Sequence, residues 1–138
     1  MAQVNLIKYD GNKKKNKLNS TVGKLTYTLA GGLGTITSGD EYKVASIPAN
    51  SLILSVDLIV SEAFNGTTPT CDVEVGGSVV LNDKDISSTG VDSYTTKSHV
   101  TALTDVEVTP TLSSATQGAL EVVVTFVELD AYDGAFTE

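Results

Sequence analysis

Residues 46–77 read SIPANSLILSVDLIVSEAFNGTTPTCDVEVGG, and the fold class turns on them. From Leu52 onward one parity holds Leu52, Leu54, Val56, Leu58 and Val60. The other holds Ile53, Ser55, Asp57, Ile59 and Ser61. Successive side chains of an extended chain point to opposite sides, so this alternation is a strand with one face in a core. Pro48 sits at the entry, where a missing N–H costs no ladder bond. Asn65-Gly66 is a turn signal and Pro69 stops further extension. In TCDVEV, Cys71, Val73 and Val75 face one way and Asp72 and Glu74 the other, and Gly76-Gly77 turns the chain.

The pattern repeats on both sides of this stretch. Leu25, Tyr27 and Leu29 alternate with Lys24, Thr26 and Thr28. SVVL follows the paired glycines, DVEVTPTL begins at Asp105, and ALEVVVTFVEL begins at Ala119. Roughly seven or eight short strands separated by turns result, with no helical period beyond a single turn at KDISS. The expected fold is all-β: an antiparallel β-sandwich or jelly-roll-like single domain with an extended N-terminal arm. Its core should be lined by Leu52, Leu54, Val56, Leu58, Val60, Val73, Val75, Leu120, Val122, Val124 and Phe126. The opposite parities also carry apolar residues, Ile53, Ile59, Val123 and Val127. That surplus predicts an oligomer face, and closed symmetry is the common way to bury one, so a homotrimer is expected.

Charge divides the chain. The 138 residues carry nine Lys and no Arg against 17 Asp+Glu, a net of -8. Residues 1–39 hold six lysines against Asp10 alone, giving +5; the rest hold three lysines against sixteen carboxylates, giving -13. We read residues 1–23 as a basic extended arm and 24–138 as the sandwich domain. DGNKKKNKLNS has too little apolar content to build a core. Lys8, Lys13, Lys14, Lys15 and Lys17 are therefore expected to contact an acidic partner surface, with VNLI at positions 4–7 as a strand-like anchor. An acidic, Arg-free chain is a poor general nucleic-acid binder. No apolar run approaches the ~18 residues of a membrane span, and no signal-peptide pattern precedes the lysines, so no membrane partner is expected.

Sites for chemistry are scarce. Cys71 has the parity of a core residue and His99 stands alone, so neither a nucleophile–base pair nor a zinc site can be assembled. The carboxylates sit on outward parities and in turns. Asn82, Asp83 and Asp85, or Asp130 and Asp133, do not match a helix-flanked calcium loop. The glycines of AGGLG lack the helix or Gly-Lys-Ser/Thr that a phosphate loop needs. The expectation is a non-enzyme with no cofactor and no metal.

VASIPANSLILSVDLIVSEAFNGTTPTCDVEVGG and VEVTPTLSSATQGALEVVVTFVEL together resemble the paired strands of small head decoration and cement proteins of tailed bacteriophages. The resemblance spans about Val44 to Leu129 and brings no catalytic residues. It implies a trimer seated on the major capsid protein at the outer surface of the virion, made in the host cytoplasm. The alternative is a tail or fibre adhesion module that binds a host glycan, for which Tyr42, Tyr94 and Tyr132 are the available aromatics.

Overall fold

The computed structural model describes residues 18–29 and 34–129. The strands are β1 (Leu18–Thr26), β2 (Thr28–Leu29), β3 (Gly34–Thr35), β4 (Tyr42–Ile47) and β5 (Ser51–Glu62), then β6 (Thr70–Val75), β7 (Ser78–Asp85), β8 (Gly90–Val100), β9 (Thr104–Thr111) and β10 (Ala119–Glu128). Two four-stranded antiparallel sheets, β1-β10-β5-β8 and β4-β9-β6-β7, face each other, and β2-β3 forms a small hairpin beside them.

The pairings nest. β6 pairs β7, β5 pairs β8, β4 pairs β9 and β1 pairs β10, all antiparallel. The chain is thus one long hairpin, folded at Gly76-Gly77 and rolled so that its successive strand pairs fall alternately in the two sheets. That is a jelly roll. The tip requires left-handed backbone at both turn residues (φ 59 and 83), which glycine adopts without a Cβ clash.

The core lies between the sheets. Val56, Leu58, Val60, Val73, Leu120, Val122, Val124 and Phe126 are buried there as their parity predicts, and Val75 packs against them. Ile47, Phe64, Ile86, Val106 and Val108 complete it. Leu52 and Leu54 depart from expectation. Both are only half-buried, and Ile53 is 2% exposed. The cause is a β-bulge: Ile53 pairs Phe126 and Ser55 pairs Thr125, leaving Leu54 as an extra residue that reverses the parity of β5 on either side.

Two boundaries differ from the sequence reading. β1 begins at Leu18, so Leu18–Gly23, assigned to the arm, are the first two-thirds of a paired strand. KDISS is not helical: the Ser87 N–H and hydroxyl both donate to Asp85 Oδ1, at 2.8 and 2.6 Å, which makes a side-chain-closed turn after β7.

Candidate interaction surfaces

Strand register sets what each outer face presents. On the β1-β10-β5-β8 sheet the outward residues form cross-strand rows: Leu18–Val127–Leu52–His99, Ser20–Thr125–Ser55–Thr95, Val22–Val123–Asp57–Ser93 and Lys24–Glu121–Ile59–Val91. Leu18, Val22 and Val91 are 63%, 49% and 61% exposed, and Ile59, Val123 and Val127 are half-buried among them. Ile59, Val123 and Val127 thus share the face expected of them. Ile53 does not: the bulge at Leu54 turns it into the core.

The outer face of the other sheet is acidic. Glu74 and Glu107 are directly opposite on β6 and β9, with Lys43 beyond Glu107 on β4. Carboxylate oxygens of Glu41, Glu74 and Glu107 lie within 4.8 Å of one another. A hydrogen bond with Glu41 and the negative charges around it hold the Glu107 carboxyl above its ordinary pKa. Asp72 is on the same face, its Oδ1 accepting the Asp83 N–H at 2.6 Å. Lys43 bridges Asp105 at 3.0 Å, and Lys24 bridges Glu121 on the opposite sheet at 3.4 Å. Glu74 and Glu107 have the outward parities that the sequence assigns to solvent, and Glu41 precedes β4. Their adjacency depends on which strands pair, so spacing along the chain gives no sign of it.

A groove of about 440 Å³ opens at one end between β7 and β8, with Ile53, Val56, Val80 and Tyr94 as its apolar lining and Thr96, Ser98 and Thr104 at its polar margin. The opposite side of the sandwich is shut: Gly23 of β1 packs on the backbone of Val44 in β4 so closely that an added Cβ would stand 2.4 Å from the Val44 carbonyl oxygen.

The candidates for chemistry stay apart. Cys71 is buried, and burial, aided by the Asp72 carboxylate, pushes its thiol up to about 12. His99 is an exposed residue of β8 whose Nε2 lies 2.6 Å from Asn50 Oδ1. Tyr42 and Tyr94 sit on different sheets and both pack inward against the core, so they form no shared aromatic platform. Lys8, Lys13, Lys14, Lys15 and Lys17, the AGGL of residues 30–33, and Asp130, Tyr132 and Asp133 lie outside the described residues.

Solved phage capsids contain chains of this fold. A chain of the cyanophage Pam1 capsid asymmetric unit matches with a TM-score of 0.56 and 23% identity over 92% of this chain and 94% of that one. A chain of the Ralstonia phage GP4 capsid matches with a TM-score of 0.57 and 14% identity, covering 88% and 90%. A chain of the acidic stable capsid of Helicobacter pylori bacteriophage KHP30 gives 0.52 and 14%, covering 82% and 93%. No family model matches the chain, and no curated protein does. What the chain shares with these capsid chains is the fold.

Proposed function

We propose that the chain is a non-enzymatic structural protein of a phage virion, which binds the major capsid protein on the outer surface of the head and decorates or cements the shell as a homotrimer. The observation that carries this reading is the extent of the match. Each of the three phage-capsid chains is covered to at least 90% of its own length. The likeness is therefore to whole small chains of capsids, not to a module inside a larger protein.

The surfaces fit such a role. The mixed apolar and hydroxyl face around Val22, Val123 and Ile59 suits contact between copies, while the acidic face around Glu74 and Glu107 suits solvent. The lysines of residues 8–17 supply charge for an acidic site on the shell, where complementarity steers docking. A clamp that binds the assembled shell but not its separated subunits stabilises the shell by linkage.

The test is sedimentation of the purified chain with empty capsid shells from the same phage, followed by imaging of the particles. Saturable binding at symmetric outer positions is expected. Failure to bind assembled shells at micromolar concentration overturns the reading. Substituting Lys13, Lys14, Lys15 and Lys17 together by Gln should weaken binding and flatten its salt dependence.

A further inference from the structure

The groove between β7 and β8 is bordered by irregularities in both sheets. Between the inward pairs Phe126–Ile53–Ser98 and Val124–Val56–Tyr94, β10 contributes Thr125 alone, β5 contributes Leu54 and Ser55, and β8 contributes Thr95, Thr96 and Lys97. The sheet therefore fans out toward β8, which curves that edge. β7 is bulged on the facing side. Leu81 pairs Val73 and Val79 pairs Glu74, so Val80 is an extra residue. Val80 and Thr96 both line the groove. A bulge re-aims a side chain and breaks the flat ladder on which a further strand would pair. Irregularities on both rims of one opening thus shape a cavity and disfavour covering it with an added strand.

The cavity measures about 440 Å³, within the range of about 300–1,000 Å³ usual for small-molecule sites. Its lining divides by chemistry. Ile53, Val56 and Val80 supply aliphatic surface, Tyr94 supplies a half-buried aromatic ring, and Thr96 and Ser98 supply hydroxyls from the same strand as Tyr94. Among the described residues the side-chain hydroxyls of Tyr94, Thr96 and Ser98 have no hydrogen-bond partner. None of the described lining residues is Asp, Glu or Lys, in a chain that carries 17 Asp and Glu and nine Lys.

These features select a ligand. A charged molecule would lose water there without gaining an opposite charge. A wholly apolar one would cover the three hydroxyls and leave them unpaired. A neutral sugar ring matches both halves of the lining. Its C–H face packs on aromatic and aliphatic surface, and its hydroxyls donate and accept as those of Ser, Thr and Tyr do. We propose that the β7–β8 groove is a binding site for a neutral saccharide, with a sugar ring packed against Tyr94 and its hydroxyls bonded to Thr96 and Ser98. The inference does not depend on the virion role, because it concerns the isolated chain.

The test is a titration of the full chain, isotope-labelled and followed by its backbone amide resonances, with cellobiose, maltose, lactose and diacetylchitobiose. Each of these probes offers a C–H face and adjacent hydroxyls. At least one should give saturable shifts centred on residues 78–80 and 94–100, half complete at about 1 mM or below. Tyr94→Ala should abolish the shifts. Thr96→Val keeps the shape of the side chain and removes its hydroxyl, so it should weaken binding about tenfold with little change in melting temperature. If Tyr94→Ala fails to fold, Thr96→Val decides. No shift with any of the probes overturns the proposal. So do groove shifts produced by 1-octanol and by no saccharide, which assign the site to an apolar chain. Shifts at these residues that follow protein concentration and not sugar also overturn it, since they assign the groove to a neighbouring copy.

Discussion

Glu107 stands directly across the β6–β9 ladder from Glu74, and Glu41, immediately before β4, completes a triangle of carboxylates. Like charges opposite one another on a sheet oppose folding. The Glu107 carboxyl is held above 4.5 by its hydrogen bond with Glu41 and by the surrounding negative charge. Between 4.5 and that raised value the folded chain binds more protons than the unfolded one, so stability falls as pH rises through the window. Asp85 works the other way. Hydrogen bonds from Ser87 lower its pKa below 3.8, and the stability they give is lost as pH drops through the lowered value. Thermal melts should thus show stability rising as pH falls through that window to about 4.5 and declining again below about 3.8. Glu107→Gln should raise the melting temperature slightly at pH 7 and remove most of the upper slope. A melting temperature that falls steadily from pH 7 to 4.5 would contradict this account.

The bulge in β5 makes neighbouring residues unequal. Ile53→Ala removes a core side chain and should cost about 2–4 kcal/mol in denaturant unfolding, the usual range for such a cavity. Leu54→Ala removes a half-buried one and should cost less than half as much. Equal losses at the two positions would mean that the parity reversal at Leu54 does not exist in solution.

Much of the fold was legible because the central strands carry strong alternation. β5, β6, β9 and β10 were readable from Val56-Leu58-Val60, Cys71-Val73, Val106-Val108 and Val122-Val124, and each of these sets is buried. β8 was not. Its inward residues are Tyr94, Thr96 and Ser98 beside the open groove, so an edge strand that buries little leaves only a polar alternation in the sequence. The bulge was hidden for a different reason. Leu52, Ile53 and Leu54 are all apolar, and nothing in residue type marks which is the extra one. The acidic triangle and the groove both arise from pairing between distant segments, which periodicity within one strand does not report.

Cys71 should behave as a core residue. Its thiol is buried and pushed up to about 12 by that burial and by Asp72. The thiolate is the reacting species, so at pH 8 its fraction falls about a thousandfold relative to an ordinary thiol near 9. A disulfide-exchange reagent should leave the native protein untouched over minutes and react at once in denaturant. Prompt reaction under native conditions would show that β6 opens readily.

Gly23 fixes the closed side of the sandwich. An added Cβ would meet the Val44 backbone at 2.4 Å, and a backbone carbonyl cannot rotate aside as a side chain can. Gly23→Ala should therefore destabilise by about 1–3 kcal/mol through overpacking. Its neighbour Val22 points outward, so Val22→Ala should cost well under 1 kcal/mol. The contrast is read from paired denaturant curves. A neutral Gly23→Ala would mean that β1 and β4 are further apart than described.

Val22 and Val123 pair on the outer face, between the hydroxyl row of Ser20, Thr125, Ser55 and Thr95 and the row that ends at Val91. Val22 is 49% exposed and Val91 61%, so neither contributes much to the isolated fold. If this face joins copies into a trimer, Val22→Asp should convert the trimer to monomer in light scattering while the melting temperature of the monomer changes little. The asparate would be desolvated against an apolar patch, with Asp57 already in the same row, and both effects oppose association. Salt separates this contact from any made by the lysines. Screening weakens exposed charge pairs but leaves burial of apolar surface intact or strengthened, so the trimer should persist at 0.5 M salt, a working value of about three times physiological ionic strength. A wild-type chain that is monomeric both in solution and on particles, or a Val22→Asp trimer indistinguishable from wild type, would remove this face from the interface.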